Sequence, residues 1–222
     1  MGEIGAFLKE IDIFNNFKQI EDIEKRVRIK HYSKNEIVYL EGDIVDRFMI
    51  LKSGKIEVYR DDESGKKLTL WYIRPKEPFC LAAYVLGRAV SNIKSVDRST
   101  VYYINRRDME SILKKYPELY PRILHHVSER LSAKANILHR VALGNAKKRI
   151  YEVLMDENYI LSDKDGNIIP LTQNEIASLS GVCRETVCRV LSELRKNGIL
   201  DIHQRQIVLK DLKKLEYYCD SN

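Results

Sequence analysis

The apolar period of the chain changes several times, and each change predicts a different element. Ile4-Phe7-Leu8-Ile11 and Phe17-Ile20-Ile23-Val27 lie at helical spacing, with a break at Asn15-Asn16. From Ile29 to Ile104 the pattern turns to short β-rich runs: Ile37–Leu40, Phe48–Leu51, Lys55–Tyr59, Leu68–Ile73, Ser91–Val96 and Thr100–Ile104. Glu41-Gly42-Asp43, Ser53-Gly54 and Asp61–Gly65 supply turns between them. Many short strands at this spacing predict a sandwich or closed roll.

Pro117 marks the first turn of a long helix. Within it Tyr120, Leu124, Val127, Leu131, Lys134, Leu138 and Val141 alternate spacings of four and three, the seam of a parallel two-stranded coiled coil. Leu143-Gly144-Asn145 ends that helix as a hinge, and Asn145 caps a further helix from Ala146 to about Asp156. Lys147, Lys148 and Arg149 fall in its first turn, where the helix dipole disfavours cations and a nearby phosphate would relieve the conflict. Asp163–Gly166 reads as a hairpin turn.

Two helices joined by a tight turn follow, over Leu171 to Leu200. Thr172 stands three residues before Glu175, the spacing of a capping box. Ile176 and Leu179 give the first helix a buried side, and Gly181 supplies the positive φ of a sharp exit. The second helix has Val187, Val190, Leu191 and Leu194 on one side and stops at Asn197-Gly198. Opposite that stripe lie Glu185, Arg189, Ser192 and Lys196, flanked by Arg184 and Cys188. A helix held this way fits the DNA major groove, where Arg donates twice to guanine O6 and N7 and Glu accepts from cytosine N4. Ile199–Ile202 and Gln206–Leu209 flank His203-Gln204-Arg205 as a β-hairpin wing, and residues 210–222 predict a short helix.

Gly181-Val-Cys-Arg-Glu-Thr-Val-Cys-Arg189 resembles the recognition element of the catabolite activator protein and fumarate-nitrate regulator superfamily (Crp/Fnr). Glu41-Gly42-Asp43 followed by Met49–Tyr59 is similar to the β-roll of cyclic-nucleotide-binding domains, and the family's order of parts runs from about Phe14 to Leu209. The resemblance implies an α+β chain in three parts. Residues 1–116 would form a cyclic-nucleotide-binding-type β-roll sensor with N-terminal helices, 117–143 a dimerisation helix and hinge, and 144–222 a winged helix-turn-helix.

It also implies a homodimer on palindromic double-stranded DNA with a TGTGA-like half-site, RNA polymerase as a further partner, and a small-molecule effector. Base contacts would fall to Arg184, Glu185, Cys188 and Arg189, with Cys188 against a thymine methyl. Phosphate contacts would fall to Ala146, Thr172, Gln173, Cys183, Thr186 and Arg205; at Cys183 a common Ser is replaced and that contact weakened. The seam would be Tyr120, Leu124, Val127, Leu131, Leu138 and Val141. The effector hollow would be lined by Leu81, Ala82, Ser91, Leu131, Lys134 and Ala135.

Family members that bind cyclic AMP hold its phosphate with Gly-Glu and, some nine residues on, Arg-Ser. Aligned on Phe79, this chain has Leu81-Ala82 and Val90-Ser91 instead. The phosphate loses its paired cation and the ribose hydroxyl its acceptor, so another effector is expected. Lys134 in the seam would face its symmetry mate. An anionic effector such as an aromatic phenolate or carboxylate would separate the two ammonium groups, or the Lys snorkels to water and fixes register.

Composition narrows the picture further. The net charge is +6, yet residues 141–222 carry twelve Lys/Arg against twelve Asp/Glu, so the motif rather than the charge argues for DNA. The four cysteines, at 80, 183, 188 and 219, form no Cys-x-x-Cys pair and no Cys/His cluster, so no haem, iron–sulfur or zinc cofactor is expected. No apolar run reaches the roughly 18 residues of a membrane span, and the predicted place is the cytoplasm. Two rivals share the fold: a regulator without an effector, and one switched by oxidation of Cys183 or Cys188. A β-roll enzyme is a remote third, because no nucleophile–base set or Gly-rich phosphate loop is present.

Overall fold

The computed structural model describes residues 2–61, 67–143, 145–156, 159–163, 166–203 and 206–221; the side chains of 133–143, 162, 163, 166 and 220 lie outside that description. The described residues divide into two compact units, 1–132 and 133–222.

In the first unit, α1 (Glu3–Leu8) and α2 (Ile20–Glu24) precede a run of eight strands. These helices are shorter than the two apolar stripes predict: turns fill the interval, and Asn16 adopts a left-handed φ of 56°. The strands are β1 (Arg28–Tyr32), β2 (Ile37–Tyr39), β3 (Arg47–Ser53), β4 (Ile56–Asp61), β5 (Lys67–Ile73), β6 (Pro78–Phe79), β7 (Asn92–Ser95) and β8 (Ser99–Asn105), with α3 (Leu81–Leu86) between β6 and β7. They form two antiparallel sheets, in the orders β1-β8-β3-β6 and β2-β7-β4-β5. The Ser53-Gly54 turn requires glycine, since Gly54 has φ +92° and a Cβ there would sit 2.6 Å from the Arg98 carbonyl oxygen.

Alternation along β3 explains the two cores of this unit. Met49 and Leu51 face inward with Ile56, Val58, Ile73 and Ile93 of the opposite sheet, and these form the interior cluster. Phe48 and Ile50 face the other way, under Leu8, Phe14, Ile20 and Ile23 of the N-terminal segment. They also meet Met109, Ile112 and Leu113 of α4 (Arg106–Lys115). β3 is therefore buried on both faces, and its sequence reads as a continuous apolar run rather than an alternating one.

The long helix is α5 (Leu119–Leu143). It starts two residues later than the Pro117 signal indicates, because Tyr116 and Pro117 carbonyls accept from Leu119 and Tyr120 amides in a turn that precedes it. The second unit follows: α6 (Ala146–Met155), β9 (Leu161–Asp163), β10 (Gly166–Ile169), α7 (Gln173–Ser180), α8 (Arg184–Lys196), β11 (Leu200–His203), β12 (Gln206–Leu209) and α9 (Leu212–Asp220). Its sheet runs β11-β12-β10-β9, all antiparallel. Mixed helices and sheet with a C-terminal helix-turn-helix are the architecture the sequence predicts.

One buried carboxylate ties the β4-β5-β7 surface together. Glu57 is 3 % exposed and accepts from Lys67 Nζ at 2.7 Å and Thr69 Oγ1 at 2.6 Å, with Lys94 Nζ at 3.4 Å. Burial alone would raise its pKa, but the Lys67 and Thr69 hydrogen bonds and the two lysine charges outweigh that and hold it below its ordinary 4.5. A carboxyl held low in the folded state contributes stability above its unfolded pKa and loses it as pH falls through the folded value. Glu57→Gln should therefore cost about 1–3 kcal/mol at pH 7. Urea denaturation at a series of pH values should show the gap to the parent narrowing below about pH 4.5.

Candidate functional site

The second unit is built around α7 and α8. Thr172 Oγ1 accepts from the Glu175 amide at 3.2 Å, and the Thr172 amide donates to Glu175 Oε2 at 2.7 Å, a complete capping box. The helix exits through Gly181 at φ 62°, where the Val182 amide donates to the Ala177 carbonyl. α8 then packs its Val187, Val190, Leu191 and Leu194 side into the unit, each at most 2 % exposed, against α6, α7 and β11. Arg184, Glu185, Arg189, Ser192 and Lys196 remain exposed on the opposite side. The structure thus brings the base-contact candidates Arg184, Glu185 and Arg189 together on one outward face.

The remaining candidates join this face through short contacts. Arg189 Nη2 donates to Thr186 Oγ1 at 3.3 Å, and that hydroxyl lies 3.1 Å from Cys183 Sγ at the helix N-cap. Cys188 is half-buried and its Sγ donates to Gln173 Oε1 at 3.0 Å, linking α8 to the start of α7. Glu185 is held below the usual carboxylate range, first by its own backbone amide, then by Cys183 and the nearby Arg184 and Arg189 charges. Ala146 is the first residue of α6, where Asn145 Oδ1 accepts from the Lys148 amide at 2.9 Å. Arg205 lies outside the described residues.

The basic start of α6 differs from the expectation in one respect. Lys147 Nζ binds Glu193 of α8 at 2.8 Å, which pushes the Lys147 pKa up. An internal carboxylate therefore relieves the dipole conflict at Lys147 without a phosphate. The wing is braced likewise: Asp201 meets Arg195 at 3.0 Å, His203 at 3.1 Å and Lys210 at 3.2 Å.

In the first unit, Leu81 is buried in the cluster under the N-terminal segment, and Ala82 is exposed on α3. Ser91 is buried, with its hydroxyl donating to the Val90 carbonyl at 2.7 Å. Leu131 is 68 % exposed on α5; the side chains of Lys134 and Ala135, and those of the seam residues Leu138 and Val141, lie outside the described residues. Of the other seam residues, Tyr120 and Leu124 are exposed, and Val127 is half-buried against the roll. Sequence reasoning missed an open hollow on the surface of the roll, lined by Tyr39, Asp46 and Arg47 among others. Its one local signal is the Arg that opens the apolar run Arg47–Leu51.

The family model of the cyclic nucleotide-binding domain matches residues 29–116, and that of the Crp-like helix-turn-helix domain matches residues 148–218. The chain belongs to the Crp/Fnr family. A CRP-like cAMP-activated global transcriptional regulator of Mycobacterium tuberculosis is 23 % identical over 201 residues, covering 88 % of this chain and 90 % of the relative. The global nitrogen regulator of Synechococcus elongatus is 21 % identical, with 90 % and 93 % covered. Among solved structures, a CooA variant from Carboxydothermus hydrogenoformans superposes with a TM-score of 0.78 at 25 % identity, covering 94 % of each chain. This Crp/Fnr member is a DNA-binding transcription regulator of the helix-turn-helix type, as its relatives are, and not an enzyme.

Among the described residues, no group of three or more His, Cys, Asp or Glu side chains is arranged to hold a metal ion, and no helix is long and apolar enough to cross a membrane. Thr172→Ala removes one half of the capping box and should cost about 1 kcal/mol. Thermal unfolding should show that loss, and duplex binding should weaken with it because α7 sets the seat of α8.

Proposed function

We propose that this regulator works as a homodimer on a palindromic, TGTGA-like site and that its β-roll answers to a small molecule other than cyclic AMP. The observation that carries the reading is the outward face of Arg184, Glu185 and Arg189 on a helix whose other side is buried. Guanine and cytosine edges in the major groove offer the complementary acceptors and donor. Dimerisation is supported by the apolar exposure along α5, where Tyr120, Leu124 and Leu131 are 54, 66 and 68 % exposed. A stripe of that kind on a soluble helix calls for a partner, and a second copy supplies the same stripe.

In this arrangement residues 1–116 sense, 117–143 pair and 144–222 read DNA, with RNA polymerase as the partner through which binding acts. A ligand in the roll would bias the pairing of the two long helices and hence the spacing of the two reading heads. The effector is not cyclic AMP because Ala82 stands where the family's ribose-binding Glu would be and Val90 where its phosphate-binding Arg would be.

Selection from random duplexes should return an inverted repeat with half-sites about one helical turn apart. Arg189→Ala should cost about 1–3 kcal/mol and relax preference at a single G·C pair per half-site. Leu124→Lys should shift the protein to monomer in analytical ultracentrifugation and weaken the palindrome far more than a half-site. A monomeric parent protein, or a selected site without two-fold symmetry, would overturn the reading.

The contact between Cys188 and Gln173 gives Cys188 a positioning role in the same reading. With Oε1 of Gln173 taken by the thiol, both amide N–H groups are left to donate to a phosphate. Cys188→Ala should then weaken binding to all sequences alike and reduce the slope of log K against log salt by about one, as loss of one phosphate contact does. Cys188→Ser, which keeps a donor, should restore both. A loss confined to one thymine position would instead make Cys188 a base contact.

A further inference from the structure

The outer face of the wing gathers three basic side chains around one carboxylate. In the hairpin of β11 and β12, Leu200 pairs with Leu209 and Ile202 with Ile207 on the buried side, so Asp201 and His203 lie on the other side, opposite Val208 and Gln206. Asp201 Oδ1 accepts from the Ile202 amide at 2.8 Å and from Arg195 Nε of α8 at 3.0 Å. Its Oδ2 accepts from Lys210 Nζ at 3.2 Å and lies 3.1 Å from His203 Nε2. The Ile202 amide and the Lys210 ammonium hold the Asp201 carboxyl at about 2, so it is ionised wherever the protein meets a duplex.

The acid is outnumbered. Arg195 and Lys210 against Asp201 leave the cluster at +1, and a protonated His203 makes it +2. The Asp201 side chain is 20 % exposed, whereas those of Arg195, Lys210 and His203 are 59, 53 and 67 % exposed, so the cations have room to turn away and the carboxylate does not. Arg195 gives Asp201 only its Nε. Neither of its Nη groups forms a hydrogen bond among the described residues, and a free guanidinium edge matches two phosphate oxygens. Exposed ion pairs are weak and screened, so a duplex phosphate competes for such donors. Arg195 stands on the same helix as Arg189, roughly 9 Å further along its axis. With the start of α8 at the base edges, the phosphate walls of a groove about 12 Å wide come within reach of that side chain.

We propose that Arg195, Lys210 and His203 form a phosphate-contact surface on the outer face of the wing, and that Asp201 is the internal anion that occupies it until a duplex phosphate takes its place. The proposal rests on the placement of α8 in the major groove, and it depends neither on the palindrome nor on dimerisation. It extends the interface beyond Arg184, Glu185 and Arg189 and gives an acidic residue a part in setting how tightly DNA of any sequence is held, because phosphate contacts carry no sequence information. The exchange takes three donors from one carboxylate, so it lowers duplex affinity relative to a wing without the acid.

Fluorescence anisotropy of a random-sequence duplex titrated with the full chain over a salt series tests the surface. Arg195→Gln and Lys210→Gln should each bind several-fold more weakly and each lower the slope of log K against log salt by about 0.9, the loss of one phosphate contact. Asp201→Asn should bind several-fold more tightly with the slope of the parent, because the contacts are the same and only the competitor is gone. Lys18→Gln removes the same charge from an exposed position of the first unit and should leave the slope unchanged. Melting curves confirm that each variant is folded. Arg195 and Lys210 are exposed, so their variants carry the test should Asp201→Asn unfold. An unchanged slope in Arg195→Gln or Lys210→Gln, weaker binding by a folded Asp201→Asn, or an equal loss of slope in Lys18→Gln would overturn the proposal. Arg189→Ala on the palindrome separates the two levels. A lost base preference there, with unchanged slopes in the wing variants, removes the wing surface and keeps the placement of α8.

Discussion

The packing of α8 is the constraint on which the second unit depends. Val187, Val190, Leu191 and Leu194 are almost fully buried, and burying four such side chains stabilises the helix by several kcal/mol, of the order of 1.5–3 each. That anchorage is what permits Arg184, Glu185 and Arg189 to stand in solvent at fixed azimuths. Ion pairs contribute much less here. Lys147–Glu193 has both side chains about two-fifths exposed and adds at most a modest increment, but it joins α6 to α8 at a defined point.

The capped helix pair could be read from the sequence because every signal in it is local: the Thr172–Glu175 box, Gly181 at positive φ and the apolar stripe of α8 lie within thirty residues. Most strands of the roll were legible for the same reason. β1 was not, since only Tyr32 of its five residues is buried and its identity as a strand comes from pairing with the distant β8. β6 is two residues long and exists through its contact with β3. α4 carries a readable stripe in Met109, Ile112 and Leu113, but it follows β8 without a break and its capping residue, Asn105, makes no side-chain cap.

Side-chain partners across elements were the least legible part. Nothing in the sequence joins Lys147 to Glu193 or Cys188 to Gln173, because each pair is brought together by the packing of one helix on another rather than by spacing. The formal neutrality of residues 141–222 is explained in the same way. Glu175 and Asp211 cap helices, Glu193 holds Lys147, and Asp201 holds Arg195, His203 and Lys210. Four of the twelve acidic residues are thus spent on holding the unit together, so the formal total says little about the charge that its reading face presents.

The division of α8 into a buried side and a solvent side has a consequence for how such proteins diversify. Arg184, Glu185 and Arg189 face outward and contribute nothing to the interior, so a lineage can exchange them without refolding anything. New operator preferences are then reachable by single codon changes, while drift on the apolar side is held in check by folding itself.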